Sequence, residues 1–253
     1  MANLLHSRIE RAGLSSSINE TAGNPILTAK IEGASEKTLL FYNHYDVQPA
    51  DPESEWASPP FEANIIDEHV VARGSTDNKG NIISRLVAFE AFLAVRGEVP
   101  CNIKYIIEGE EEIGSPSLEN FVVNNKDLLN ADGCIWEDNT TRVDIPVLSL
   151  GNKGLCYLEL TCRTANVDFH SSSGQIYENA AWRIIWALAS MKDENENVLV
   201  DGFYDDVLDL TEVENALVEK IKPYDGADRV KKFELRKFLL DLEDSQLPRR
   251  HLT

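Results

Sequence analysis

The sequence is poor in positive charge. Its 253 residues carry 24 Lys and Arg against 43 Asp and Glu, a formal net charge of −19. A surface that negative repels phosphate backbones and anionic lipid heads, which argues against binding to nucleic acid or to a membrane surface. Long apolar runs are also missing, and none approaches the roughly 20 residues that span a bilayer. Met1 to Arg8 shows no charged start followed by an apolar stretch, so no signal peptide is expected. Cysteine is scarce. Cys101, Cys134, Cys156 and Cys162 form no C-x-x-C pair, which removes a zinc knuckle and a thioredoxin-like site from consideration. Cys156 and Cys162 share one alternating run, and in a strand their spacing is about 20 Å, too far for a disulfide. Four reduced thiols in a cytoplasmic protein are expected. There is no internal repeat and no low-complexity tract, and Arg73 to Gly80 matches neither a P-loop nor a Rossmann fingerprint.

What is present supports a packed core. Hydrophobic residues are 43% of the chain and charged residues 26%, and the length suits one large domain or two smaller ones. Thr38 to Asn43 is an apolar, aromatic run that predicts a buried strand, and four prolines between Val47 and Glu62 predict a loop. Val70 to Arg73 predicts a short strand closed by Gly74. Ile82, Leu86, Phe89 and Leu93 recur at helical spacing, with Gly97 as the stop. Asn102 to Ile107 predicts another strand. Ser115-Pro116 reads as the start of a helix whose inner face holds Leu118, Phe121 and Val122. Cys134 to Trp136 predicts a fourth strand. Strands alternating with helices imply an α/β layered domain with a mostly parallel sheet. Further on, Leu155 to Arg163 alternates like a strand, Asp168 to Gly174 is a polar loop, and Asn179 caps a helix with Trp182, Ile185, Trp186 and Ala189. That combination implies a small α+β domain. The run from Asp193 to Glu219 holds ten acidic residues and no basic one, and reads as a solvated face. The expected division is 1–152 and 153–253.

In such sheets ligands gather beyond the carboxyl ends of the strands. His44, Asp46, Glu111, Glu112 and Glu137 all lie just past the carboxyl end of a predicted strand, and Asp77 lies four residues past one. A His-x-Asp pair alone is commonly a capping arrangement, and a run of glutamates is commonly a solvated face. Their shared placement beyond strand ends is what points to a metal. One imidazole with several carboxylates suits zinc, cobalt or manganese. One of two consecutive glutamates can then bind metal while its neighbour takes a proton from water. A carboxylate between two cations can bridge them.

Several segments together resemble the co-catalytic zinc exopeptidases, a family with carnosinase-like dipeptidases, glutamate carboxypeptidases, aminoacylases and succinyl-diaminopimelate desuccinylases. They are Phe41 to Pro49, Trp56 with Pro60 to Glu62, Ala72 to Gly80, Ile107 to Ser115, and Asp168 to Ser171 with the helix from Trp182. The carnosinase-like dipeptidase branch is the nearest in pattern. The resemblance implies two divalent metal ions, zinc first, with manganese or cobalt as alternatives. It implies His44 and Glu137 on one ion, Glu112 on the other and Asp77 between them, with Asp138 as the alternative to Glu137. Asp46 would orient His44. Glu111 would act as general base and then as acid toward the leaving amine. His170 would stabilise the oxyanion, reaching in from a partner's lid. The Asp77–Asn78 peptide would be cis.

The implied fold is an α/β catalytic domain over 1–152 and an incomplete α+β lid over 153–253, the lid also making a homodimer. The implied activity is hydrolysis of the amide bond of a small peptide or N-acyl amino acid. Compared with the family the chain looks truncated at both ends, and the C-terminal histidine ligand of relatives has no counterpart, His251 reading as a histidine of the terminal tail. The alternative is therefore a non-catalytic homologue, a metal-binding or dimerising module.

Overall fold

The computed structural model describes residues 1–136, 154–221, 226–247 and 249. The chain divides into two compact units, Met1–Ser149 and Leu150–Thr253. The first opens with helix α1 (Ala2–Arg11), strands β1 (Ser15–Asn19), β2 (Ile26–Ile31) and β3 (Thr38–His44), then the hairpin β4 (Asn64–Ile66) and β5 (His69–Val71). Helix α2 (Lys79–Arg96), strand β6 (Asn102–Glu108), helices α3 (Leu118–Asn124) and α4 (Lys126–Leu129) and strand β7 (Gly133–Trp136) follow.

Five strands form one sheet in the order β1-β2-β6-β3-β7. β6 and β7 flank β3 in parallel, β2 runs antiparallel to β6, and β1 runs antiparallel to β2. Only β2 therefore opposes the common strand direction, as the expected mostly parallel α/β sheet requires. The strands read as near-continuous apolar runs because both faces are covered. Leu39 and Phe41 of β3, with Ile103, Tyr105 and Ile107 of β6, pack with Leu5 and Ile9 of α1 and Ile82, Leu86 and Phe89 of α2. On the other face Leu40, Tyr42 and Ile106 pack with Phe121, Leu118 and Leu129. The period of two along each strand sends alternate residues to these two cores.

Adjacent parallel strands β3 and β6 are thus followed by helices on opposite faces. That arrangement opens a crevice beyond their carboxyl ends. Helix α2 begins at its N-cap Asn78 and stops at Gly97, whose φ of 77° is the left-handed conformation that glycine adopts without a Cβ penalty.

Several expectations change. His44 is the last residue of β3 rather than the first beyond it. The strand near Val70 pairs with Asn64–Ile66 in a separate hairpin and does not join the main sheet, being three residues long with an exposed outer face. Helix α3 takes Ser117 as N-cap, two residues later than Ser115, because Ser115 sits at a φ of 53° and cannot open a helix. Val122 faces solvent while Phe121 is buried.

In the second unit the described helices are α5 (Ala180–Met191), α6 (Glu212–Lys220) and α7 (Gly226–Lys232). Asn179 caps α5, its side chain accepting from the Ala181 N–H at 2.9 Å. Residues 154–163 form no strand among the described residues. Alternation specifies two faces, but a strand also needs a ladder partner, and Leu155 and Tyr157 remain 89% and 85% exposed. Among the described residues no helix is long and apolar enough to cross a membrane.

Candidate metal centre

The crevice at the end of β3 and β6 gathers five of the predicted residues. His44 is fully buried and fixed by the ladder, its backbone in register with Glu108 of β6. Asp46 lies two residues on. Its Oδ1 is 3.2 Å from His44 Nδ1, and its Oδ2 accepts from the Glu112 backbone N–H at 2.9 Å. One carboxylate thus orients the imidazole and anchors the turn bearing the glutamates. That turn is a single 3-10 turn, Glu111–Ile113, at the end of β6.

Asp77 arrives from the loop before α2, and its Oδ1 lies 2.9 Å from His44 Nε2. Glu111 Oε2 is 3.9 Å from the same nitrogen. In the tautomer whose Nδ1–H donates to Asp46, Nε2 turns a lone pair toward Asp77. Two acceptors that close need a proton or a cation between them. Two ligands each about 2.0–2.1 Å from a zinc ion stand roughly 2.9–3.4 Å apart at bond angles of about 90–110°. The pair therefore fits a shared divalent ion. Side-chain donor atoms of His44, Glu111 and Glu112 also lie within 4.8 Å of one another. The donor set, one buried imidazole and four carboxylates, suits a borderline-hard cation.

Electrostatics agree. Partial burial pushes the Glu111 carboxyl above its ordinary range; His44 opposes that shift, while Glu112, Asp77 and Asp46 add to it. Burial also lowers the Lys79 ammonium, with Asp46 pulling the other way.

Side chains that the sequence reading passed over support the site. Gln48 donates from its backbone N–H to Glu112 Oε1 at 3.2 Å, and from Nε2 to Oε2 at 2.9 Å. Asn78 is buried, follows the cis Asp77–Asn78 peptide and bonds to Asn43, which in turn accepts from Arg85 of α2 at 2.5 Å. No sequence spacing announces that chain of amides. Gly80 permits a further close approach, since a Cβ there would lie 1.8 Å from the Ser75 carbonyl oxygen.

His170 belongs to the second unit. Its Nδ1 accepts from the Ser172 N–H at 3.1 Å and caps the turn Ser171–Ser173. Glu137, its alternative Asp138, and His251 lie outside the described residues.

The profile of Peptidase family M20/M25/M40 matches residues 40–223. The Beta-Ala-His dipeptidase of Mus musculus is 34% identical over 218 residues, which are 83% of this chain and 44% of that protein. The Cys-Gly metallodipeptidase of Schizosaccharomyces pombe is 33% identical over 200 residues, 77% of this chain and 40% of that protein. Among solved structures, an M20 family metallo-carboxypeptidase from Sulfolobus solfataricus superposes with a TM-score of 0.91 at 37% identity, covering 98% of this chain and 56% of that one. The chain spans less than half the length of these curated relatives.

Proposed function

Because the chain belongs to peptidase family M20/M25/M40, we propose that it carries the centre of a metal-dependent hydrolase acting on the amide bond of dipeptides or related N-acyl amino acids. The convergence of His44 with Asp46, Asp77, Glu111 and Glu112 at one strand end carries this reading. Residues 1–152 are the catalytic domain and 153–253 the lid, through which two copies pair. His44 and Glu137 would hold one divalent ion and Glu112 a second, with Asp77 able to serve both. Zinc suits this donor set best, and manganese or cobalt would also be accepted.

A bound divalent ion lowers the pKa of water and polarises an amide carbonyl. The chain's own residues do the rest. Asp46 holds His44 in the tautomer that turns the Nε2 lone pair toward the ligand position. Glu111 takes a proton from the attacking water and returns it to the leaving amine as the C–N bond breaks. A carboxyl raised by burial accepts the proton of the attacking water more readily than an exposed one. His170, from the partner's lid, donates to the oxyanion that forms on the former carbonyl oxygen. A cytoplasmic location is part of the proposal, supported by four free cysteines.

The test is metal content per chain together with hydrolysis of β-Ala-His and Cys-Gly, the substrates in the relatives' names. Glu111→Gln should keep its metal and lose at least about 100-fold in turnover. Equal turnover in both proteins would remove Glu111 from its role. The alternative reading is a metal-binding or dimerising module. Metal uptake by the wild type with no turnover of either dipeptide would select it.

A further inference from the structure

One buried carboxylate beside the candidate centre has no part in the mechanism above. Glu108, the last residue of β6, is 1% exposed. Its Oε1 accepts from the Tyr42 hydroxyl at 2.5 Å and from Ser115 Oγ at 2.8 Å. Its backbone carbonyl accepts from the Tyr45 N–H at 2.8 Å. In the β3–β6 ladder Glu108 stands beside His44. It therefore grips the chain on both sides of the imidazole, by side chain two residues before and by backbone one residue after. Ser115 lies just past the turn that holds Glu111 and Glu112. The Tyr42 ring stacks on Trp136, centroids 3.9 Å apart, and Trp136 precedes Glu137 in the chain. Burying a carboxylate is costly unless donors meet it, and here two hydroxyls from two different segments converge on one oxygen.

We infer that Glu108 is a positioning residue: through Tyr42 and Ser115 it sets the spacing between His44 and the Glu111–Glu112 turn at which a divalent ion is held. This rests on the metal-centre reading proposed above. A role in packing alone makes a different prediction, namely variants that melt earlier but bind metal unchanged.

The probe is Co²⁺, titrated into the 253-residue chain and followed by visible absorption, with a thermal melt of each metal-free protein. Tyr42→Phe and Ser115→Ala should each weaken Co²⁺ binding about tenfold. The double variant should lose less than the product of the two, because both hydroxyls act through the same oxygen. Glu108→Gln, which retains an acceptor oxygen, should bind better than Glu108→Leu. Folded Tyr42→Phe and Ser115→Ala proteins that bind Co²⁺ like the wild type, while His44→Ala does not bind, would overturn this inference alone. No Co²⁺ uptake by the wild type, or uptake unaffected by His44→Ala, would overturn the metal reading and this inference with it.

Discussion

His44 Nε2 and Asp77 Oδ1 face each other at 2.9 Å, although 33 residues separate them and Asp77 rides on no strand of the sheet. The sheet supplies the imidazole, and the loop before α2 delivers the carboxylate. A cation between them satisfies both. Zn²⁺ at 100 times its Kd should therefore stabilise the wild type by about 2.7 kcal/mol by mass action. Asp77→Asn should bind at least about tenfold more weakly. His44→Ala should show no Zn²⁺-dependent rise in melting temperature, and a chelator should lower the melting temperature of the wild type only. Differential scanning fluorimetry with and without Zn²⁺ reads all three.

Asp46 serves two neighbours with its two oxygens, His44 Nδ1 and the Glu112 N–H. Asp46→Ala should weaken metal binding about 10- to 100-fold. Asp46→Asn has a single acceptor oxygen and can serve one neighbour at a time, so it should fall between Ala and the wild type. Competition against a chromogenic chelator gives the affinities, and equal binding by Ala and Asn would contradict the shared role.

Gly80 has no room for a side chain, because a Cβ would meet the Ser75 carbonyl oxygen at 1.8 Å. Both partners are backbone, so the loop that delivers Asp77 must shift. Gly80→Ala should cost about 1–3 kcal/mol in urea denaturation and should weaken metal binding at the same time. Unchanged affinity in a destabilised variant would show that the loop position does not govern the centre.

Tyr105 lies in the core, and burial pushes its phenol from 10.0 up to about 12. Between those values the unfolded chain loses the phenolic proton while the folded one keeps it. The unfolded state then binds fewer protons, so stability falls as pH rises from 10 to 12. Tyr105→Phe should flatten that part of the profile. Urea midpoints measured across the range check it, and an identical slope in both proteins would reject the assignment.

Much of the candidate centre was legible because polar side chains at strand ends are local features. Thr38 to Asn43 announces β3, and His44 and Asp46 then follow within three residues. The Glu111–Glu112 pair likewise sits at the end of an apolar run. Asp77 is expected four residues past a strand of the sheet, but the strand that precedes it belongs to a separate hairpin. Gln48, Asn43, Asn78 and Arg85 were not legible, because their partners are set by how segments far apart in sequence meet. The serine-rich edge strand β1 gave no apolar signal, since a backbone ladder to β2 is enough to hold it.

The order of residues alone determined β3, β6, β7 and α2 of the first unit, since burial on both faces of a sheet demands continuous apolar runs and burial on one face of a helix demands 3.6-residue spacing. It also determined that acidic side chains and one imidazole stand at strand ends. Only the tertiary structure decided which atoms approach which. The alternation at 155–163 formed no ladder among the described residues, because pairing needs a second strand that no local pattern can provide. The 2.9 Å approach of His44 to Asp77 and the convergence of Tyr42 and Ser115 on Glu108 depend on two helices packing against opposite faces of one sheet.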